Sequence, residues 1–397
     1  MTEASPRSCG FVPGPHCERG PTGSGVLDGS RLAVKDLIDV QGARTGGGNP
    51  DWLARQPAAD VDAPAVALLR AAGARVVGKT ITDELAFSLE GDNAWYGAPC
   101  HPTDPERLTG GSSSGSAAVV AWNEADVALG TDTGGSVRVP ASFCGVFAMR
   151  PTHGRISLNG VLPFAPSYDT VGWFARDARL LRAAGRVLLQ CRGTGVQAPM
   201  TLHVAHDALA LADAPVRDAL IDWCARAGID QEVVAFDGDW HDWHDWVQAY
   251  ATLQGLEIQQ QLGPWIRARS PSFGPTIAPR FEQALALDPA LFVKWNEWRT
   301  QATQNLATRL PAGQAWLIPA APCVAPQRNA SGDELGNFYQ RALALGSLAG
   351  HAGLPQITLP LASARGLPVG VSFIAAAGQD ELLLDLAVAL TKCGSHV

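Results

Sequence analysis

The chain has 397 residues, 46% of them apolar and 17% charged, which suffices for a large core and excludes a disordered tail. A net charge of −8 gives no electrostatic footprint for DNA or RNA. No run of about eighteen apolar residues is available to span a membrane and the N-terminus lacks signal-peptide regions, so a cytoplasmic protein is expected.

Residues 1–30, rich in Gly, Pro and polar side chains, read as a loop-like segment. RLAVKDLIDV, from Arg31, then alternates as a strand. Asp62 to Ala74 has a helical pattern, with Pro64 near its start and Gly73 near its end, and the RVVGKT that follows reads as a buried strand. GSAAVVAWNEA, from Gly115, predicts a second helix, and DVALGTD, from Asp126, a second strand. From about Asp177 to Arg309 the pattern is mainly helical and carries Trp240, Trp243, Trp246, Trp265, Trp295 and Trp298. The runs WLIP, LPQITLPL and GLPVGVSFIA return to strands before a last helix from Asp380 to about Leu390. The alternation predicts an α/β fold, a sheet flanked by helices built from both ends of the chain, with 177–309 as a helical excursion.

Eight scattered cysteines without a Cys-x-x-Cys pair fit reduced thiols. Only four lysines, Lys35, Lys79, Lys294 and Lys392, accompany twenty-six arginines, so each lysine is conspicuous.

The segment 110–141, GGSSSGSAAVVAWNEADVALGTDTGGSVRVPA, carries the chemistry: two Gly-Gly-Ser turns bracket the second helix and strand. A helix of about twelve residues travels roughly 18 Å outward, and a strand of five or six returns over about the same distance. Ser112 and Ser136 are therefore expected to meet at one rim of the sheet, where α/β proteins place their ligands. Gly134 and Gly135 allow the sharp turn that exposes successive N–H groups as an oxyanion hole. A serine nucleophile needs a base, and Lys35 is the candidate: between Leu32, Ala33, Val34, Leu37 and Ile38, desolvation lowers a lysine from about 10.4 toward neutrality.

Blander readings compete. A Gly/Ser run is commonly a linker and a strand lysine commonly an edge residue, but the second Gly-Gly-Ser and its flanking elements outweigh the linker reading. Ser116 stands where a phosphate loop needs lysine, and Arg138 breaks Gly-x-Ser-x-Gly around Ser136. His153 reads as an exposed loop residue, His241 and His244 resemble a ligand pair only loosely because no Glu follows as in HExxH, and Cys144 in FCGVF reads as packing, so no metal is expected.

Residue by residue, 110–141 resembles the signature of the amidase signature family. The resemblance extends through KTITDELAFS, FCGVFAMRPTHGRIS, GLPQITLPL and GLPVGVSFI, and is weak only in the middle. It implies a single large domain over 1–397 with a central mixed sheet, and a stretch 177–309 covering the substrate pocket. It implies Ser136 as nucleophile, Ser112 after a cis peptide bond, Lys35 as terminal base, and Thr133, Gly134, Gly135 and Ser136 as oxyanion donors. Ser113, Ser114, Asp132 and Arg138 take supporting roles in that scheme, and no cofactor enters it.

AVKDLIDV, GGGNPDWL and SYDTVGWFARD are most similar to the plant-type amidase 1 subgroup, which includes indole-3-acetamide hydrolases and a catalytically inert import-receptor domain. The implied activity is hydrolysis of a small aryl or arylalkyl carboxamide; ureas, carbamates or esters as substrates, and a non-catalytic scaffold, are the alternatives. A homodimer stays open, because only 34 residues precede Lys35 where the family has a longer helical segment often used in dimer contacts. His101 replaces the asparagine common in the family.

Overall fold

The computed structural model describes residues 8–14, 17–191, 200–229, 233–234 and 242–393. Among them ten strands form one mixed sheet: β1 (Arg31–Lys35), β2 (Arg75–Thr80), β3 (Val127–Asp132), β4 (Phe147–Arg150), β5 (Thr170–Ala175), β6 (Thr201–Ala205), β7 (Val233–Val234), β8 (Gln314–Pro319), β9 (Gln356–Ala364) and β10 (Leu367–Ala375). Their spatial order is β2-β1-β3-β5-β4-β9-β10-β8-β6-β7. Parallel pairs lie toward the two edges, and the pairs between β3 and β8 are antiparallel.

The helices are α1 (Pro50–Leu53), α2 (Pro64–Ala71), α3 (Ser114–Ala121), α4 (Arg138–Cys144), α5 (Ala178–Leu188), α6 (His206–Ala210), α7 (Ala214–Ala227), α8 (Trp243–Gln261), α9 (Gly263–Arg269), α10 (Ala278–Leu285), α11 (Leu291–Arg309), α12 (Gly332–Ala352) and α13 (Asp380–Cys393). β3 and β5 are buried at every position, as in a sheet covered on both faces. Along β1 the alternation divides the core. Leu32 and Val34 pack with α2 and α5, while Ala33 packs with α3 and α4 and leaves Lys35 on that second face. Burying Leu32 and Val34 stabilises the sheet by about 1.5–3 kcal/mol each.

Several boundaries differ from the sequence pattern, each for a local reason. The strand in RLAVKDLIDV stops at Lys35, where Asp36 N–H pairs with Thr80 C=O and Ile38 N–H turns back to Lys35 C=O at 2.9 Å. Gly73, at φ +106°, sits beyond the end of α2. α3 has eight residues, not twelve, because Asn123 turns left-handed at φ +55° and the Glu124 and Ala125 N–H groups fold back onto Val119 C=O. The N-terminal segment is more than loop: Phe11 bridges to Thr80 and Arg19 to Val76, both antiparallel. The stretch 177–309 is not purely helical either, since β6 and β7 extend the sheet beyond β8; a five-residue TLHVA between helical patterns carries too little period to be read as a strand.

Candidate active site

Lys35 ends β1 and is 0% exposed. Its ammonium donates to two hydroxyls, Ser112 Oγ at 2.7 Å and Thr131 Oγ1 at 2.9 Å. Burial strips water from the amine and lowers its pKa to about 7, against the pull of Asp83, Asp132 and Asp169.

Ser112 stands in the turn between β2 and α3, and the Gly111–Ser112 peptide bond is cis. Its carbonyl accepts from Asp83 N–H at 3.1 Å. Gly111 is required there, because a Cβ would lie 2.0 Å from Asp83 Oδ2. Asp83 is buried and accepts from Gly91 N–H at 3.0 Å through Oδ2. Burial and the neighbouring Glu90 push its carboxyl above the usual carboxylate range.

The second Gly-Gly-Ser turn leaves the end of β3 and is held by Asp132, whose carboxylate accepts from Gly135 N–H and Val137 N–H, both at 3.0 Å, from Arg138 at 2.7 and 3.0 Å, and from Arg150 at 2.9 Å. Burial opposes this charge, but the two guanidiniums win and hold the carboxyl well below the usual range. Ser113 N–H donates to Ser136 C=O at 3.1 Å and joins the two turns. Ser113 Oγ reaches Thr131 C=O at 3.2 Å, Ser114 Oγ reaches Ile81 C=O at 3.5 Å, and Thr133 Oγ1 donates to Asp169 at 2.6 Å. Ser136 is 4% exposed.

Lys35, Ser112 and Ser136 thus converge at one end of β1 and β3, although α3 is shorter than the outward-and-return estimate assumed. Of the four expected oxyanion amides, Gly135 N–H is already engaged by Asp132. Thr131, Asp83, Arg150 and Asp169 escaped the sequence reading. Thr131, next to Asp132 in the DVALGTD strand already placed beside the turn, was the one with a usable signal. His153 is half-buried rather than exposed, with Nε2 against Pro166 C=O at 2.9 Å, and His241 and Trp240 lie outside the described residues. His101 is a buried turn holder, with Nε2 against Phe143 C=O at 2.8 Å and Nδ1 accepting from Thr103 and Asp104 N–H. Burial pushes the Cys144 thiol far up, out of range for a nucleophile.

A cavity of about 250 Å³ opens beside these turns between α8, α10 and α12. Phe87, Leu287, Leu343 and Tyr339 line it together with Gln248 and Arg280, and Leu343 is its link to the site, lying 3.1 Å from where a Gly134 Cβ would be. No tryptophan among the described residues lines it; Trp246 and Trp298 pack edge-to-face at 5.2 Å around His351.

A family model described as amidase matches residues 17–206. Amidase 1 of Arabidopsis thaliana is 38% identical over 92% of this chain and 93% of its own length. The chloroplastic outer envelope protein 64 of the same plant is 34% identical over 90% of this chain and 65% of its own length. A crystal structure of an amidase superposes with a TM-score of 0.81 at 30% identity, over 93% of this chain and 85% of that one.

Proposed function

The chain belongs to the amidase signature family and is an amidohydrolase, and on that premise we propose that it cleaves a small aryl or arylalkyl carboxamide through an acyl-Ser136 intermediate. The observation that carries the reading is the buried 2.7 Å bond from Lys35 Nζ to Ser112 Oγ, in a turn tied to that of Ser136. An amine with a pKa near 7 is neutral in a large fraction of molecules at physiological pH and accepts the Ser112 proton while Ser112 takes that of Ser136. The attacking oxygen then gains charge only as it bonds to the carbonyl carbon.

With Gly135 N–H engaged by Asp132, we assign the oxyanion to the N–H groups of Thr133, Gly134 and Ser136, preorganised donors contributing roughly 3 kcal/mol each. Protonated Lys35 returns its proton through Ser112 to the departing amine, and water, deprotonated by the same relay, releases the acid. Asp132 with Arg138 and Arg150 holds the turn, and Ser113 and Ser114 brace the Ser112 side.

The cavity supports a small acyl group, being below the roughly 300–1,000 Å³ of drug-sized pockets. α8 and α10, from the stretch 177–309, wall it, and Phe87 and Tyr339 supply its aromatic surface. The whole chain then works as one amidase domain. Among the described residues no helix is long and apolar enough to cross a membrane, and we place the enzyme in the cytoplasm, which imaging of a tagged chain tests.

A fluorophosphonate label followed by peptide mapping tests the nucleophile. Modification of Ser136 is expected, and it disappears in Ser136→Ala; labelling at another serine overturns the assignment. Ammonia release from indole-3-acetamide, benzamide and short aliphatic amides, with urea and a carbamate as comparisons, tests the acyl group. Turnover confined to the aliphatic amides rejects the aryl reading.

A further inference from the structure

We propose that Cys9 and Cys100 form a reversible dithiol–disulfide site that clamps the N-terminal strap, residues 8–12, onto the body of the fold. Cys100 N–H donates to Ser8 C=O at 2.7 Å. A carbonyl oxygen lies within about 3 Å of the next Cα, and an amide nitrogen about 1.5 Å from its own, so the Cα atoms of Cys9 and Cys100 are at most about 7 Å apart. Disulfides span about 4.4–6.8 Å between Cα atoms, so little backbone movement is needed. Burial, with Cys9 close by, raises the Cys100 thiol pKa. Cys9 is exposed, Cys100 half-buried, and Cys9 holds a left-handed φ of +50°.

The surroundings show what the clamp would secure. Gly10 C=O accepts from Ile81 N–H at 2.9 Å, and a Cβ on Gly10 would lie 2.9 Å from Gly115 C=O, so the strap lies directly on the first turn of α3. Ser8 N–H and Oγ bond Glu124, just past the end of α3, and Trp122 Nε1 donates to Cys100 C=O at 2.9 Å. The strap thus touches the helix that follows Ser112 at its first turn and just past its end, and the Cys100 loop touches it at Trp122.

The oxidant is a peroxide. Exposed Cys9, as thiolate, attacks one peroxide oxygen and releases hydroxide, giving a sulfenic acid; the Cys100 sulfur then displaces the sulfenic oxygen, which leaves as water. Two electrons pass from the sulfur pair to the peroxide, both thiol protons are lost, and a thiol reductant reverses the step. Such a reversible bond suits a reducing compartment, where disulfides are transient and redox-sensing.

The full-length reduced protein is treated with hydrogen peroxide, free thiols are alkylated, and peptides are mapped without reduction. A linked Cys9–Cys100 peptide pair is expected, about 2 Da lighter than the sum of its parts and separated by dithiothreitol. The thermal midpoint should rise in the oxidised wild type and stay unchanged on oxidation of Cys9→Ser, an exposed substitution outside the catalytic machinery. Alkylation or sulfinic oxidation of both cysteines without linkage overturns the site, and linkage without a rise in midpoint overturns the clamp.

Discussion

Lys35 and Lys79 lie on adjacent strands, β1 and β2, in a register that pairs Val34 with Lys79 and Lys35 with Thr80, so their side chains leave the sheet on opposite faces. Both are buried, at 0% and 7% exposure. Lys79 meets a carboxylate, Asp36 at 3.2 Å, and donates to Ile38 C=O at 2.6 Å and Thr45 Oγ1 at 3.1 Å. Among the described residues, Lys35 meets only the hydroxyls of Ser112 and Thr131 at hydrogen-bond distance. Lys79 thus has a counter-ion at salt-bridge distance, whereas burial beside acceptors that carry no charge lowers the Lys35 pKa.

Substituting the two lysines should separate their roles. Lys35→Met is expected to lower kcat/KM by about 10⁴-fold while leaving the thermal midpoint unchanged or higher, since no buried counter-ion is orphaned in contact with it. Lys79→Met orphans the buried Asp36 carboxylate and should cost about 3–5 kcal/mol of stability in denaturant titration, with near-normal turnover per folded molecule. The reverse pattern would break the contrast.

The pH profile sharpens it. An unfolded lysine keeps its proton to about 10.4, whereas folded Lys35 releases it near 7, so the base form accumulates above that pH and kcat/KM should rise through it to a plateau. A limb at the ordinary lysine pKa contradicts the desolvated amine. Asp83→Asn removes a carboxylate that favours the ammonium and should move the limb to lower pH. Thr131→Val deletes one acceptor of the Lys35 amine and should lower kcat about tenfold with little change in KM. The smallest effect belongs to Ser113→Ala, about 1 kcal/mol of stability from its lost bond to Thr131 C=O.

Much of this was legible beforehand because it is local. Gly134, Gly135 and Ser136 announce a sharp turn, the apolar neighbours of Lys35 announce desolvation, and the helix-and-strand pattern between Ser112 and Ser136 announces a return to the same rim. Asp83 and Arg150 were illegible, since neither a carboxylate between Thr82 and Glu84 nor one arginine after an apolar run has a period or a spacing rule. The close approach of Gly111 and the bond from Gly91 N–H show where Asp83 points, and the Asp132 hub shows what Arg150 holds. Tryptophan spacing is compatible with a pocket and with core packing alike, and Trp246 and Trp298 pack around His351.

Strand alternation, glycine turns and apolar flanks act over a few neighbouring positions, so the residues alone predicted an α/β fold with two serine turns at one rim and a desolvated lysine, while the amidohydrolase activity came from the resemblance of 110–141 to the amidase signature. Tertiary structure decided which lysine is buried against hydroxyls and which against a carboxylate, which loop amide is already taken, and which side chains wall the cavity. Those outcomes depend on distances between atoms far apart in the chain, and electrostatics and packing act on such distances, not on sequence separation.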